Sequence, residues 1–292
     1  FRHWSTKIIH MKNILIPTDF SDNAYKAISY AVHLLKEENC TFHLLHTYTP
    51  AIYQSEYLLH SPGQLGLGDI YRTDSETKLE DLKQKVISEF NNPKHHFKTY
   101  SAFSVLMEAI DELVESKKID LLIMGTQGAT GAKEIFLGSS TVHTIKRAKC
   151  PVLAIPFDFD VKMPTKILFP TDYEIDYNYE LIKQVLFLAK VHKSTLDIMH
   201  VRSSYELNEE QKKNKSKLHH LLAETKHKFH ELPDQGIIEA INSIQSELKP
   251  QMLVMVKNKH SFLENLFLKP VINQIGFHSS IPFMVLPYHL LG

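Results

Sequence analysis

The sequence is short of several residue types and patterns, and each shortage excludes a class of protein. Its 292 residues include two cysteines, Cys40 and Cys150, which argues against a secreted fold held by disulfides. With 33 basic and 33 acidic residues, the chain lacks the positive field used for non-specific binding to nucleic acid or membrane surfaces. No uninterrupted apolar run approaches the roughly 18 residues of a membrane span. We therefore expect a cytoplasmic protein with no nucleic-acid or membrane partner.

What the sequence does contain is the composition of an ordinary globular protein, with 43% hydrophobic and 23% charged residues. At about 150 residues per domain, its length predicts two domains, each large enough to bury its own core. Residues 1–10 carry no apolar signal-peptide core, and a strand pattern opens after Met11. We expect this leader to be an extension outside the fold.

The chain contains two similar nine-residue segments. Residues 12–20 read Lys-Asn-Ile-Leu-Ile-Pro-Thr-Asp-Phe, and residues 165–173 read Thr-Lys-Ile-Leu-Phe-Pro-Thr-Asp-Tyr. Further matches keep the same order, and they pair 44–46 with 198–200 and 150–153 with 281–284. The sequence therefore predicts a tandem repeat.

The distance between matching positions predicts the domain boundaries. It falls from 154 residues at the histidine pair to 131 at the last proline pair, so the second copy has lost about 23 residues. We place this loss in the loop-rich stretch 51–75 of the first copy. The predicted domains are 11–156 and 165–288, with a linker near 157–164.

Within the first copy, strand patterns alternate with helix patterns. Short apolar runs predict buried parallel strands at 14–16, 41–47, 97–103, 120–124 and 152–155. Amphipathic periods predict one helix after Ser21, its N-cap, and further helices at 76–90, 107–117 and 139–148. This alternation predicts an α/β fold made of two tandem, doubly wound, open parallel-sheet domains of the Rossmann-like type. Ligands of such sheets bind beyond the carboxyl ends of the strands, where the strand order reverses.

A glycine-rich turn, 125–141, follows the fourth predicted strand. Gly125 and Gly128 would let the backbone approach a ligand closely. Gly138 is followed by three hydroxyl residues on the first turn of a predicted helix, Ser139, Ser140 and Thr141. Free N–H groups, the positive end of the helix dipole and hydroxyls suit a phosphate chain. The turn lacks the Gly-Lys-Ser/Thr of a Walker A loop, so the glycines alone fit a loop before a Ser-capped helix equally well.

On these residues the sequence resembles the universal stress protein family. The family signature is Gly, two residues, Gly, nine residues, Gly, then Ser or Thr, and the residues that meet it are Gly125, Gly128, Gly138 and Ser139. The Pro-Thr-Asp turn at 17–19, His46 at a strand end and the Pro-Val-Leu segment at 151–153 are also similar to that family. The resemblance covers the first copy throughout and the second in outline, so the whole chain resembles a tandem universal stress protein.

The resemblance implies that the first domain binds ATP, possibly with Mg²⁺. It implies that Asp19 accepts hydrogen bonds from the ribose, that the backbone near Thr18 and Thr47 meets the adenine edge, and that the glycine-rich turn holds the phosphates. The implied site residues are Pro17, Thr18, Asp19, Thr47, Met124, Gly125, Gly128, Gly138, Ser139, Ser140 and Thr141. The sequence departs from the family at Ser104 and Val105, where many members have a glycine-containing turn. The resemblance also implies that the last strands of the two domains, 151–155 and 282–286, pair within the chain, and it leaves a homodimer open.

The second copy lacks the glycine-rich turn. The positions that correspond to the three glycines and the serine hold Val256, Lys259, Lys269 and Pro270. Because bulky side chains replace the close-approach positions, we predict that the second domain does not bind nucleotide in this way. Asp172 is kept without the turn, so we assign it a structural role, either capping the next helix or ordering its own turn.

The predicted function is that of a stress-response protein in which ATP is a regulatory ligand that shifts a population of conformers or partner contacts. Two alternatives stay open, a slow ATPase or phosphoryl-transfer enzyme and an interaction scaffold that binds no nucleotide. No motif supplies a paired acid or an arginine finger, so no catalytic residue is assigned.

The chain has 18 histidines, which is many for its length. His219, His220, His227 and His230 are interpreted as a solvated face of one basic helix, because no cysteine or carboxylate completes a metal site. His46 and His200 lie at equivalent strand ends and are interpreted as polar groups of the sheet rim.

Overall fold

A computed structural model of the chain describes residues 12–48, 67–126, 138–202, 206–258 and 281–288. These residues form two compact units that divide between Phe157 and Asp158. In both units the described strands are parallel and alternate with helices, which confirms the predicted α/β class. Of the helices in the described ranges, none is long and apolar enough to cross a membrane.

The first unit is an open parallel sheet with strand order β3-β2-β1-β4-β5. Its elements are β1 Asn13–Pro17, α1 Asp22–Leu34, β2 Cys40–Thr47, α2 Leu67–Phe90, β3 His95–Ala102, α3 Leu106–Lys117, β4 Leu121–Gly125, α4 Ser139–Arg147 and β5 Val152–Ile155. The chain builds outward from β1 to β3 and then returns to place β4 on the other side of β1. The strand order therefore reverses between β1 and β4, where such sheets bind ligands.

Burial explains why β1 and β4 occupy the centre of the sheet. Ile14, Leu15 and Ile16 of β1 are completely buried, and so are residues 121–123 of β4. Continuous apolar runs of this kind suit strands that are covered on both faces. Because parallel crossovers are right-handed, α1 and α2 cover one face of the sheet, and α3 and α4 cover the other.

The second unit repeats this topology with strand order β8-β7-β6-β9-β10. Its elements are β6 Lys166–Pro170, α5 Tyr179–Val191, β7 Thr195–Val201, α6 Glu209–Leu221, β8 His227–Leu232, α7 Ile237–Leu248, β9 Met252–Lys257 and β10 Phe283–Pro287.

Two connections and one helix differ in length between the two units. Four residues separate β1 from α1, whereas eight separate β6 from α5. In addition, α6 has 13 residues and α2 has 24. The connection from β7 to α6 has 7 residues, against 19 from β2 to α2. The residues predicted to be lost from the second copy therefore come partly from this connection and partly from the start of α6.

Two predicted elements differ from the structure. Helix α2 begins at Leu67 rather than at the predicted Glu76. The sequence does not predict its first turns because residues 69–74 are exposed, with Ile70 62% accessible, and therefore lack the apolar period of an amphipathic helix. His227 and His230 belong to strand β8 rather than to a helix, because this segment pairs with β7. The four histidines at 219, 220, 227 and 230 are thus divided between α6 and β8.

Candidate functional site

The turn after β1 is fixed by its own hydrogen bonds. The N–H of the buried Thr18 donates to the carbonyl of Leu45 on β2 (2.8 Å), and its Oγ1 accepts from the N–H of Phe20 (3.0 Å). Phe20 has a φ of 64°, a left-handed conformation that a bulky residue adopts only where its surroundings enforce it. These bonds fix the backbone on both sides of Asp19, directly after the end of β1.

Asp19 is exposed, and its carboxylate is held in one orientation. Its Oδ1 accepts hydrogen bonds from the backbone N–H of Ser21 (3.1 Å) and from the Ser21 hydroxyl (2.5 Å). Ser21 is also the N-cap of α1, as predicted, because its Oγ accepts from the N–H of Ala24 (3.2 Å). The carboxylate therefore lies at the sheet edge in a fixed position beside the start of a helix.

His46, at the end of β2, supports the same turn from one side. Its ring centroid lies 4.5 Å from that of Phe20, and its Nδ1 lies 2.8 Å from Oγ of Ser75 on α2. Ser75 is buried, and its Oγ lies 2.7 Å from Oγ of Ser101 on β3. Burial, reinforced by Lys78, lowers the pKa of His46, which keeps the imidazole neutral near pH 7. No motif in the sequence marks Ser75 or Ser101, because their partner lies on a different element.

The rim beside Thr47 carries exposed apolar side chains. Thr47 is half-buried at the end of β2, and the ring of the next residue, Tyr48, lies 5.8 Å from the ring of Phe103 after β3. Phe103 and Val105 are 53% and 54% exposed. The connection where the sequence departs from the family therefore presents apolar surface at this edge.

Gly125 ends β4 and packs against α1. A Cβ atom at Gly125 would lie 2.5 Å from Nδ2 of Asn23, a buried residue of α1, and 3.0 Å from its backbone carbonyl. Contacts this short exclude a side chain. Gly125 is thus required by internal packing, independently of any ligand, and Met124 before it is buried in the core.

Helix α4 begins beside the end of β4. The N–H of Gly138 donates to the carbonyl of Thr126 (2.5 Å), and Oγ1 of Thr141 donates to the carbonyl of Gly125 (3.0 Å). These two bonds tie together the ends of the glycine-rich turn. Gly128 and the rest of 127–137 lie outside the described residues.

The first turn of α4 presents backbone and hydroxyl groups outward. Gly138 is the N-cap and provides no capping side chain, while Ser139 and Ser140 are exposed. The hydroxyl of Thr141 is buried and bonded to Gly125, so its contribution is to position the helix. An uncapped helix start of this kind attracts anions through its N–H groups and its dipole.

The described residues of the predicted site lie at the ends of three neighbouring strands and at the start of α4. The order β2-β1-β4 places Thr47, the Thr18–Asp19 turn and Gly125 at the carboxyl edge of the sheet, and the Thr141 bond adds the start of α4. Within the described residues, no group of three or more His, Cys, Asp or Glu side chains could hold a metal ion. Burial raises the pKa of Cys40 and of Cys150 to about 12, so neither thiol is ionised near pH 7.

The second unit keeps the turn but changes what surrounds it. Oγ1 of Thr171 accepts from the N–H of Tyr173 (3.0 Å), and Tyr173 has a φ of 59°. The ring of Tyr173 lies 4.9 Å from that of His200, just as Phe20 packs on His46. Oδ1 of Asp172 accepts from the N–H of Glu174 (3.0 Å), so this carboxylate orders its own turn, which was one of its two predicted roles.

Helix α6 also holds the turn of the second unit. Nε2 of Gln211 donates to the carbonyl of Asp172 (3.0 Å), and Nδ2 of the buried Asn214 donates to the carbonyl of Tyr173 (3.0 Å). The lengthened connection before α5 adds two further buried side chains, Ile175 and Tyr177. Val256 on β9 occupies the position that corresponds to Gly125.

Comparison with known proteins identifies this architecture. The fold defines a tandem α/β protein whose candidate site lies at the strand-order reversal of an open parallel sheet. The model of the universal stress protein family matches residues 10–156, half of the chain, and the chain belongs to this family. It is 32% identical over 145 residues to universal stress protein MJ0531 of Methanocaldococcus jannaschii, covering 49% of this chain and 81% of that protein. It is also 32% identical over 158 residues to universal stress protein MJ0577 of the same organism, covering 49% and 94%.

The similarity of this chain to solved structures extends across both units. A universal stress protein from Archaeoglobus fulgidus aligns with a TM-score of 0.66 at 17% identity, covering 95% of this chain and 97% of that one. An alignment of this extent supports the same fold in the second unit. The chain is therefore a universal stress protein of the tandem type, and the family resemblance found in the sequence is confirmed.

Proposed function

We propose that the first unit binds ATP as a regulatory ligand and that the second unit does not bind nucleotide. The observation that carries the proposal is the junction of β4 and α4. Two hydrogen bonds there bring an uncapped helix start, with Ser139 and Ser140 exposed, to the strand end beside the turn of Asp19. One nucleotide could place its phosphates at the start of α4 and its ribose at the turn of Asp19.

The chemistry of these groups matches the parts of a nucleotide. The N–H groups and hydroxyls of 138–140 would hold phosphates, and the Asp19 carboxylate would accept hydrogen bonds from ribose hydroxyls. The half-buried end of β2 at Thr47, with the exposed rim of Phe103, would border the base. Glycine at 138 leaves room for this approach, and the family resemblance supports the same roles.

Calorimetry with Mg²⁺ and ATP tests the proposal on two matched variants. Gly138 and Gly236 are the N-caps of α4 and α7, with similar extended backbone angles and no capping side chain. We expect Gly138→Val to abolish ATP binding, because the branched side chain crowds the phosphate approach. Gly236→Val should leave ATP affinity unchanged, since its new Cβ would meet only the flexible end of Glu239. Both variants carry the same change in capping.

Retained ATP affinity in Gly138→Val would refute the site, and a wild-type protein that gives no heat would favour a scaffold without nucleotide. Turnover of many ATP molecules per second would contradict the regulatory role. Mass spectrometry of small molecules released from the purified protein would identify a resident nucleotide directly. The cytoplasmic location and the role in a stress response stay predictions.

A further inference from the structure

His46 connects the turn that carries Asp19 to α2 and β3. Its ring centroid lies 4.5 Å from that of Phe20, the residue directly after Asp19. Its Nδ1 lies 2.8 Å from Oγ of Ser75 on α2, and that hydroxyl lies 2.7 Å from Oγ of Ser101 on β3. Because Ser75 is buried, this chain of polar groups is shielded from water and holds the ring in one orientation.

Phe20 depends on such a support. Its φ of 64° lies in the left-handed region, which a bulky side chain adopts only where its surroundings enforce it. The bond from its N–H to Oγ1 of Thr18 holds its backbone, and the ring of His46 packs against its side chain. If that packing were lost, Phe20 could leave the left-handed region. The carboxylate of Asp19, one residue earlier, would then lose its fixed position.

The second unit repeats the ring contact with different partners behind it. The ring of His200 lies 4.9 Å from that of Tyr173, but its Nδ1 lies 2.8 Å from Oε2 of Glu231. The other carboxylate oxygen of Glu231 is bound by Lys215 (2.5 Å). The contact between a histidine and the left-handed aromatic residue is therefore common to both turns, whereas the hydroxyl partners of His46 belong to the unit that carries the candidate site.

Electrostatics also connects the ring of His46 to Asp19. Burial and the nearby Lys78 lower the pKa of His46, while the carboxylates of Asp74 and Asp19 oppose that shift. The ring of Tyr48 also faces the imidazole, at 6.4 Å between centroids. A neutral imidazole exerts little attraction on the Asp19 carboxylate, whereas a protonated one would compete for it with ribose hydroxyls.

We propose that His46 is a positioning residue of the nucleotide site in the first unit. Held by Ser75, its uncharged ring keeps Phe20 in place and presents Asp19 to the ribose; this inference rests on the proposed function of that unit. Helix α2 thereby contributes to ATP binding through Ser75, without needing a contact of its own with the nucleotide. ATP affinity falls when the support is removed and when the ring takes up a proton.

Calorimetry with Mg²⁺ and ATP at pH 8 tests the support on two matched substitutions. Glutamine cannot pack a ring against Phe20, and it does not titrate. We expect His46→Gln to bind ATP about tenfold more weakly, which is the ratio expected if the turn is correctly formed in about a tenth of the molecules. His200→Gln, the same change at the equivalent strand end of the second unit, should bind ATP like the wild type.

The pH profile separates positioning from a purely structural role. The quantity to measure is the ratio of the ATP affinities of the wild type and His46→Gln between pH 8 and pH 5, in which protonation of ATP itself cancels. We expect the advantage of the wild type to shrink at least about twofold below about pH 6.5, because only the wild type has a ring at position 46 that becomes charged there. A ratio that is constant with pH would overturn the inference, since loss of packing alone acts equally at every pH.

Ser75→Ala tests the contribution of α2 while His46 stays in place. It removes the hydroxyl beside Nδ1, and ATP affinity should fall about two- to tenfold, the range expected for one hydrogen bond. Its control is Ser88→Ala, at an exposed position of the same helix, which should bind ATP like the wild type. A wild type that gives no heat at pH 8 would refute the proposed function. Wild-type binding that neither His46→Gln nor Ser75→Ala weakens would refute this inference alone.

Discussion

Asp19 and Asp172 show how equivalent residues acquire different surroundings. Each carboxylate accepts a hydrogen bond from the N–H two residues further on, after a threonine that holds a left-handed aromatic residue. Each aspartate therefore orders its own turn. What differs is the neighbourhood, because the carbonyl of Asp172 is bound by Gln211 and its turn is longer.

Substitution by asparagine separates the structural role of Asp19 from its proposed ligand role. Asp19→Asn keeps an oxygen that accepts from Ser21 and removes the charge. We expect ATP affinity to fall about tenfold, while the free energy of unfolding changes by less than about 0.5 kcal/mol. Calorimetry and urea titration measure the two quantities. Asp172→Asn is the control and should leave ATP affinity intact; equal affinities in all three proteins would assign Asp19 to the turn alone.

His43 makes the first unit sensitive to acid. The residue is buried on β2, with Nδ1 3.0 Å from the Tyr100 hydroxyl and Nε2 3.2 Å from Oδ1 of Asn13. These bonds fit a neutral ring that accepts from tyrosine and donates to asparagine. Burial, with Lys98 and Lys117 nearby, lowers the pKa of His43 to about 4.

Stability should therefore depend on pH between the folded and unfolded pKa values of His43. The unfolded ring binds a proton near its usual pKa of about 6.5, so the contribution is complete above that pH and is lost as the pH falls toward 4. We expect the free energy of unfolding, measured by urea titration, to be about 1–3 kcal/mol lower at pH 4.5 than at pH 7.5 because of this residue. His43→Gln should show a smaller difference between the two pH values, and an identical difference would remove His43 as the cause.

At the scale of elements, the sequence predicts the helices and strands that a local hydrophobic pattern determines. It does not predict those whose conformation depends on contacts with distant parts of the chain. The buried runs of β1, β4 and β5 and the Ser21 cap are within a residue or two of their predicted positions, because burial on both faces leaves a continuous apolar signal. The basic, histidine-rich pattern of 219–230 predicts one helix, but its last part forms strand β8, because the conformation there comes from pairing with β7. In the candidate site, the repeated Pro-Thr-Asp segment marks the Thr18–Asp19 turn, whereas the support of His46 by Ser75 depends on a helix residue 29 positions further along the chain.

In the second unit, α6 holds the turn after β6 through a hydrogen bond from Asn214, and a substitution of this residue tests its contribution. Asn214→Ala removes a buried donor to the carbonyl of Tyr173 and leaves that carbonyl without this bond. We expect the second unit to lose about 1–3 kcal/mol of unfolding free energy. Lys213→Ala, an exposed neighbour on the same helix, should change stability by less than about 0.5 kcal/mol. Equal effects of the two changes, measured by urea titration, would exclude a role for this bond.

At the scale of the whole molecule, each unit is compact and buries its own core, so a ligand of one unit need not stabilise the other. The expected pairing of 151–155 with 282–286 within the chain stays a prediction. Small-angle scattering that shows two separated bodies would contradict it.

ATP should protect one unit from hydrogen exchange. At a free concentration 100 times the dissociation constant, a ligand that binds only the folded state adds about 2.7 kcal/mol. We expect exchange to slow in peptides from 12–48, 67–126 and 138–157, with little change in 206–258. Gly138→Val is the control in which this protection disappears. Equal protection of both units would mean that the second also binds nucleotide.

The eight-residue connection between β6 and α5 limits how the second unit could be redesigned. Replacing Val256 by glycine would still leave Tyr177 and Ile175 in the wall of the crevice. To give this unit the open strand end of the first, the connection would have to be shortened to four residues at the same time, and the buried side chains that it contributes would have to be replaced. A single substitution therefore cannot convert one crevice into the other.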